Sequence, residues 1–337
     1  MSNGEARPVP QLCDAGDVNA PELIKPREVP LGGLRAMNVR RTLPSRQRSL
    51  IGAWCFIDHY GPDDVHATGG MSVAPHPHIG LQTVSWLFQG EIEHRDSAGH
   101  HALVLPGEVN LMTAGQGISH SEVSTKNVTL LHGVQLWVAL PAVSRQVAPG
   151  FTHHVPPVLQ EQGCEARVFL GTLLGHSSPV ETYTPLLGAE LLLQPGASFH
   201  CDVDESFEHG ILVDEGTVSI HAEGHDPLIA DKDDLAYLPI GSSTMTVTAE
   251  RGARVLLLGG PPFGEQLVMW WNFLASTQAE IMAARTEWQR QITDDADEPL
   301  LDSQDVAPGQ FGVVIGDHLP PIPAPHLPEG IRLRPRR

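Results

Sequence analysis

The stretch LQTVSWLFQGEIEHRDSAGHHALVLPGEVNLMT, residues 81–113, alternates short β-prone runs with turn chemistry. LQTVSWLF closes on Gln89-Gly90, EIEHR on the DSAG turn, and HALVL on Pro106-Gly107 before EVNLMT resumes. Glycine supplies the positive φ and proline the fixed φ of tight turns, so this grammar predicts consecutive antiparallel hairpins. A second passage, residues 189–260, repeats it in AELLLQPGASFHCDVD, HGILVDEGTVSIHAEG, DLAYLPIG, TMTVTAE and RVLLLGG. Two β-barrels in tandem account for both passages. The Pro- and Gly-rich LPAVSRQVAPGFTHHVPPVLQEQG between them sets the boundary near residue 150, dividing the chain into 1–150 and 151–337. The pattern also predicts one long helix. It starts at Thr277, whose T-x-x-E spacing to Glu280 makes a capping box, and it carries Ile281, Ala284 and Trp288 on one face. The acidic DDADEP that follows, and the Pro-rich LPPIPAPHLPEGIRLRPRR with its four arginines, read as surface segments.

Composition narrows the function. At 337 residues there is room for two cores. The balance of 21 basic against 40 acidic residues gives a formal charge of -19, the wrong sign for a phosphate backbone or an anionic leaflet, so direct nucleic-acid binding is not expected. No apolar run approaches the length of a membrane span and the first thirty residues lack an apolar leader core, which reads as a soluble, cytoplasmic protein. Cys13, Cys55, Cys164 and Cys201 are widely spaced and read as free thiols.

The chemistry concentrates in PHPHIGLQ, residues 75–82. Residues i and i+2 of a strand share a face about 6.6 Å apart, close enough for two imidazoles to converge on one ion. His76 and His78 have this spacing, and His120 and Glu122 in GISHSEVS repeat it beyond the hairpin series. Three imidazoles and one carboxylate, without a thiolate, suit a catalytic transition metal better than a closed structural zinc site. His94, His100, His101, His153 and His154 lack partners at strand spacing and read as solvated; His132 reads as a satisfied core residue in preference to an outer-shell donor. The second passage offers His200, Glu208, His209, His221 and His225 without either pair, so one metal per chain is expected and a vacant second barrel.

These residues also carry a resemblance. VRRTLPSRQRSLIGAWCFIDHYGP, HPHIGLQTVSWLFQGEIEHRDSAG and MTAGQGISHSE resemble the N-terminal domain of the pirin branch of the cupins, and GTLLGHSSPV and PFGEQLVMWWNFLASTQAEI resemble its C-terminal domain. The resemblance implies an all-β bicupin fold, two jelly-roll β-barrel domains in tandem with a C-terminal helix. It also implies iron, as Fe(II), in the first barrel alone, or another divalent transition metal, held by His76, His78, His120 and Glu122. It further implies a quercetinase-type dioxygenase that opens a flavonol with O2 and releases carbon monoxide, with Glu122 as the catalytic group taking the substrate proton. A redox-sensitive iron protein acting through a protein partner is the alternative, and another cupin reaction at the same ion a third. Many family members carry HPHRGFET where this chain has HPHIGLQT, so Ile79 and Gln82 replace an arginine and a glutamate. By strand parity Gln82 should face the metal, unless Gly80 resets the register, and Val84, Trp86 and Phe88 are candidates to line the substrate cavity, with simple core packing the equal alternative.

Overall fold

The computed structural model describes residues 11–13, 20–30, 37–294 and 298–327. The tail arginines and the centre of DDADEP lie outside the described residues. Each half of the chain pairs a seven-stranded antiparallel sheet with a four-stranded one, the two faces of a jelly-roll barrel. In the first half the larger sheet is centred on Leu81–Gln89, Leu130–Ala139 and Trp54–Asp64. Val109–Thr113 and Gly150–His154 flank it on one side, Asn38–Leu43 and Arg27–Pro30 on the other. The smaller sheet runs Ser72–His78, Ile118–Ser124, Ile92–Asp96 and His101–Val104. The second half repeats the plan, and the early strand Glu22–Ile24 pairs with Leu235–Leu238 at the edge of its larger sheet. Among the described residues no helix is long and apolar enough to cross a membrane.

The two larger sheets pack face to face. Val84, Trp86, Val109, Leu111, Val134, Leu136 and Val138 of the first meet Phe169, Leu212, Leu256 and Leu258 of the second in one apolar cluster. Alternation then sends the intervening residues to the barrel interior, where Leu81, Met112 and Trp137 pack with Phe56. Trp86 therefore does not line the metal cavity. It is fully buried against the second half, its ring stacked on Phe169 with centroids 4.6 Å apart. Val84 belongs to the same cluster and Phe88 packs against it, so the expectation that these three line the substrate cavity is corrected.

Gly80 is the reason. The His-x-His strand ends at His78 in the small sheet and the next begins at Leu81 in the large one, so parity is not carried across the corner. Gly80 turns it at φ +71°, and a Cβ there would stand 2.1 Å from the Leu274 carbonyl oxygen. Gln82 consequently shares the face of Val84 and Trp86, and its Nε2 donates to Thr113 Oγ1 at 2.9 Å. It lies on the opposite face from Ser85, which reaches Glu122.

The helix Gln278–Ile292 forms as its residues dictate. Thr277 Oγ1 accepts from the Glu280 amide while Glu280 Oε2 accepts from the Thr277 amide, completing the capping box, and Ile281, Ala284 and Trp288 are buried. They pack with Trp270, Phe273 and Phe311. The Pro-rich segment is not simply a surface tail. Its Ala324 is buried and its Ile322 N bonds to Pro75 O of the smaller sheet at 2.9 Å; just ahead of it Phe311 and Val314 are buried too, and Phe311 O accepts from Ser119 N at 3.0 Å. Its apolar residues follow no helical or strand period, so a periodicity reading misses their burial. Cys55, Cys164 and Cys201 are buried, Cys55 Sγ donating to Trp137 O at 3.5 Å, and burial pushes the Cys164 and Cys201 thiols up to about 12.

Since Trp86 belongs to the seam between the halves, Trp86→Ala should cost about 3–5 kcal/mol of stability. Metal content should not change. Denaturant melts together with elemental analysis check both, and loss of metal at unchanged stability would return Trp86 to the cavity wall.

Candidate metal centre

Cross-strand register assembles the site. In the antiparallel pair of Ser72–His78 with Ile118–Ser124, His120 stands opposite His76, and Ile118 opposite His78. Between His120 and Glu122 the register shifts by a bulge on the proline-bearing strand, where Pro75 offers no ladder N–H. The three histidines are fully buried, with ring centroids 4.4 to 5.0 Å apart. The Trp137 ring meets His78 edge to face at 5.1 Å and walls the cluster on one side.

The outer nitrogens of two rings are committed to backbone. His76 Nδ1 donates to Ala74 O at 2.9 Å and His78 Nδ1 to Asn272 O at 3.1 Å. A neutral imidazole has one N–H, so each Nε2 turns a lone pair inward. His76 Nε2 is buried with no hydrogen-bond partner, and His78 Nε2 lies 3.1 Å from His120 Nε2. Burial, reinforced by His78, holds His76 well below the usual imidazole range; burial does the same for His78, and burial with His76 for His120. Neutral rings with converging lone pairs are what a cation site requires. A divalent transition metal fits these residues.

The sequence reading missed His94. It is buried, not solvated: Nδ1 lies 3.5 Å from His120 Nδ1, and Nε2 lies 3.3 Å from Asp96 Oδ2. Burial alone would raise the Asp96 carboxyl, but hydrogen bonds from His94 and the His100 amide hold it below the usual range. With the His94 proton directed to Asp96, His94 Nδ1 accepts from His120 and leaves the His120 Nε2 lone pair facing His78. The register puts His120 opposite Asp96 and Glu122 opposite His94, a pairing visible only once the hairpins are aligned. His100, His101 and His153 are half-exposed or exposed and face the carboxylates of Asp96, Glu93 and Glu108.

Glu122 is buried and accepts from Ser85 Oγ at 3.3 Å. The ligand atoms of His76, His78 and His120 form one group within 4.8 Å of one another, and those of His94, His120 and Glu122 a second, the two sharing His120. Glu122 thus stands to one side of the histidine triad. Glu208, in the second half, ties the two halves together, accepting from Gly52 N at 2.7 Å and Tyr237 OH at 3.0 Å. His132 is not an isolated core residue: its Nε2 lies 2.6 Å from Asp214 Oδ1 of the second half. A cavity of about 340 Å³ beside Ile79, Arg145 and the helix is lined by none of the four proposed ligands.

Two jelly-roll barrels in tandem, one of them carrying a buried histidine cluster, define the bicupin class. Residues 35–138 match the Pirin family and residues 188–293 the Pirin C-terminal cupin domain. The chain belongs to the pirin family. It is 45% identical over 298 residues to a Pseudomonas aeruginosa protein named provisionally as a quercetin 2,3-dioxygenase, covering 86% of this chain and 91% of the relative. A pirin-like protein of Caulobacter vibrioides is 36% identical over 260 residues, 74% of this chain and 88% of the relative. The crystal structure of a quercetin 2,3-dioxygenase from Acinetobacter baumannii superposes with a TM-score of 0.81 at 36% identity, covering 93% of this chain and 97% of that one.

Because Asp96 orients His120 through His94, Asp96→Asn should weaken metal binding roughly 10- to 100-fold without removing a ligand. Competitive titration with a chromophoric chelator checks this. The same titration should show that Gln82→Glu does not rescue Glu122→Gln, since Gln82 faces away; recovered affinity in the double variant would refute that register.

Proposed function

We propose that the chain is a metal-dependent dioxygenase acting on flavonol-like enolic aromatics with O2. In this reading His76, His78, His120 and Glu122 hold one divalent ion, Fe(II) for oxygen chemistry. The observation that carries it is the set of inward lone pairs in a buried cluster, with His76 Nε2 lacking any protein partner. The names of the P. aeruginosa and A. baumannii relatives support the substrate class. When bound, the ion supplies Lewis acidity toward an enolic hydroxyl, and four protein ligands leave about two of six octahedral positions open.

The chain's own residues supply the rest. Glu122, a carboxylate beside the triad, is placed to take the proton of the enol. Ser85 Oγ donates to its Oε1 at 3.3 Å, which orients the carboxylate. The buried phenol of Tyr60 is raised well above its usual range by burial and then by Glu122, so it stays neutral and adds no competing charge. Trp137, stacked on Phe56 at 3.9 Å, gives the pocket an apolar wall suited to an aromatic ring and excludes water from the base.

Protein loaded anaerobically with Fe(II) and mixed with quercetin should consume O2 and release carbon monoxide when air is admitted. His78→Ala should lower turnover more than about 100-fold, beyond the range of outer-shell changes, while the barrel still unfolds cooperatively on its own core. Full turnover by a metal-free His78→Ala would sink the reading.

A further inference from the structure

A second cluster lies at the seam between the halves. His59, His132 and Asp214 come from three strands, Trp54–Asp64, Leu130–Ala139 and Glu208–Glu215. His59 and Asp214 are fully buried and His132 is 6% exposed. His59 Nε2 stands 2.7 Å and His132 Nε2 2.6 Å from Asp214 Oδ1, with 3.4 Å between the two nitrogens. None of the three serves the triad described above.

Two features mark the cluster as built. His132 sits where the register shifts between Leu131 and Gly133, and Asp214 where it shifts between Val213 and Glu215. Bulges re-aim side chains: Asp214 is itself the extra residue on its strand, and His132 stands opposite the extra residue carried by Trp54–Asp64. The second feature is an outer layer. Arg254 Nη1 binds the other carboxylate oxygen of Asp214 at 3.1 Å, leaving Oδ1 to face the histidines. Asp233 Oδ1 lies 3.0 Å from His59 Nδ1, the carboxylate–histidine arrangement found behind metal ligands. Arg40 stands on Asp233 at 2.9 Å, and the Phe88 ring covers His132 with centroids 5.0 Å apart.

Proton counting shows what is missing. A neutral His59 has one N–H and stands between two carboxylates, so in either tautomer a lone pair faces an anionic oxygen, Nδ1 toward Asp233 at 3.0 Å or Nε2 toward Asp214 at 2.7 Å. That is repulsive unless a cation stands between them. We propose that this cation is a second divalent transition ion of the zinc type, held by His59, His132 and Asp214 and clamping the two barrels together. Ligands about 2.1 Å from a tetrahedral ion stand about 3.3–3.4 Å apart, which the nitrogen pair already matches. The two contacts to Oδ1 lengthen on loading, and rotation of Asp214 about its Arg254-held oxygen provides the travel. Three protein ligands leave a fourth position for water, and because they come from both halves the ion would act as a clamp across the seam.

The test uses full-length protein stripped with chelator and titrated with Co(II), read by elemental analysis and by visible ligand-field bands. Wild type should bind two ions per chain. His78→Ala should keep one, with its bands intact, and His59→Gln should lose that one. If His59→Gln fails to fold, His78→Ala decides alone, because its seam is untouched. No Co(II) bound by His78→Ala, or a count and spectrum unchanged by His59→Gln, would assign the cluster an extra proton only and overturn the proposal. Either result leaves the dioxygenase reading to stand or fall on flavonol turnover.

Discussion

Three buried imidazoles whose inner nitrogens converge form the constraint around which the first barrel is arranged. Each is fixed from behind: His76 by the carbonyl of Ala74, His78 by the carbonyl of Asn272, and His120 by the Asp96–His94 pair. With the N–H groups spent outward, the inner nitrogens repel until a cation arrives. The fold bears this cost because the surrounding strands are held by ladders and packing that do not depend on the ion.

The same constraint explains why the second half is part of the centre. Asn272 lies beyond both barrels in sequence, yet its carbonyl orients His78. Leu274 N bonds to Ile79 O, and the corner at Gly80 is threaded tightly against the Leu274 carbonyl. The helix and the tail behind it hold that segment in place, with Trp288 Nε1 donating to Ile322 O at 2.8 Å. The two barrels divide their interiors differently. The second is filled by Val168, Leu191, Ile211, Val247 and Leu257, whereas the first gives up part of its core to histidines and Glu122.

Much of this was legible in the sequence. The hairpins followed from Gly and Pro at the turns, the helix from its capping box, and the gathering of His76, His78 and Glu122 around His120 from i, i+2 spacing. What failed was parity across Gly80, since a strand that changes sheets at a left-handed glycine does not carry its face assignment with it. Gln82 and Trp86 were misplaced for that single reason. His94 was missed because its partner, His120, is adjacent only across the ladder. His59, His132 and Asp214 leave still less trace: each comes from a different strand, and Asp214 is aimed by a bulge that no residue pattern announces.

The most direct test of the central claim is an anomalous difference map at the metal edge from crystals of iron-loaded protein. The account predicts a peak about 2.1 Å from the Nε2 atoms of His76, His78 and His120. A peak on the Nδ1 side of His120, bound by His94 and leaving His76 and His78 without a ligand, would contradict it.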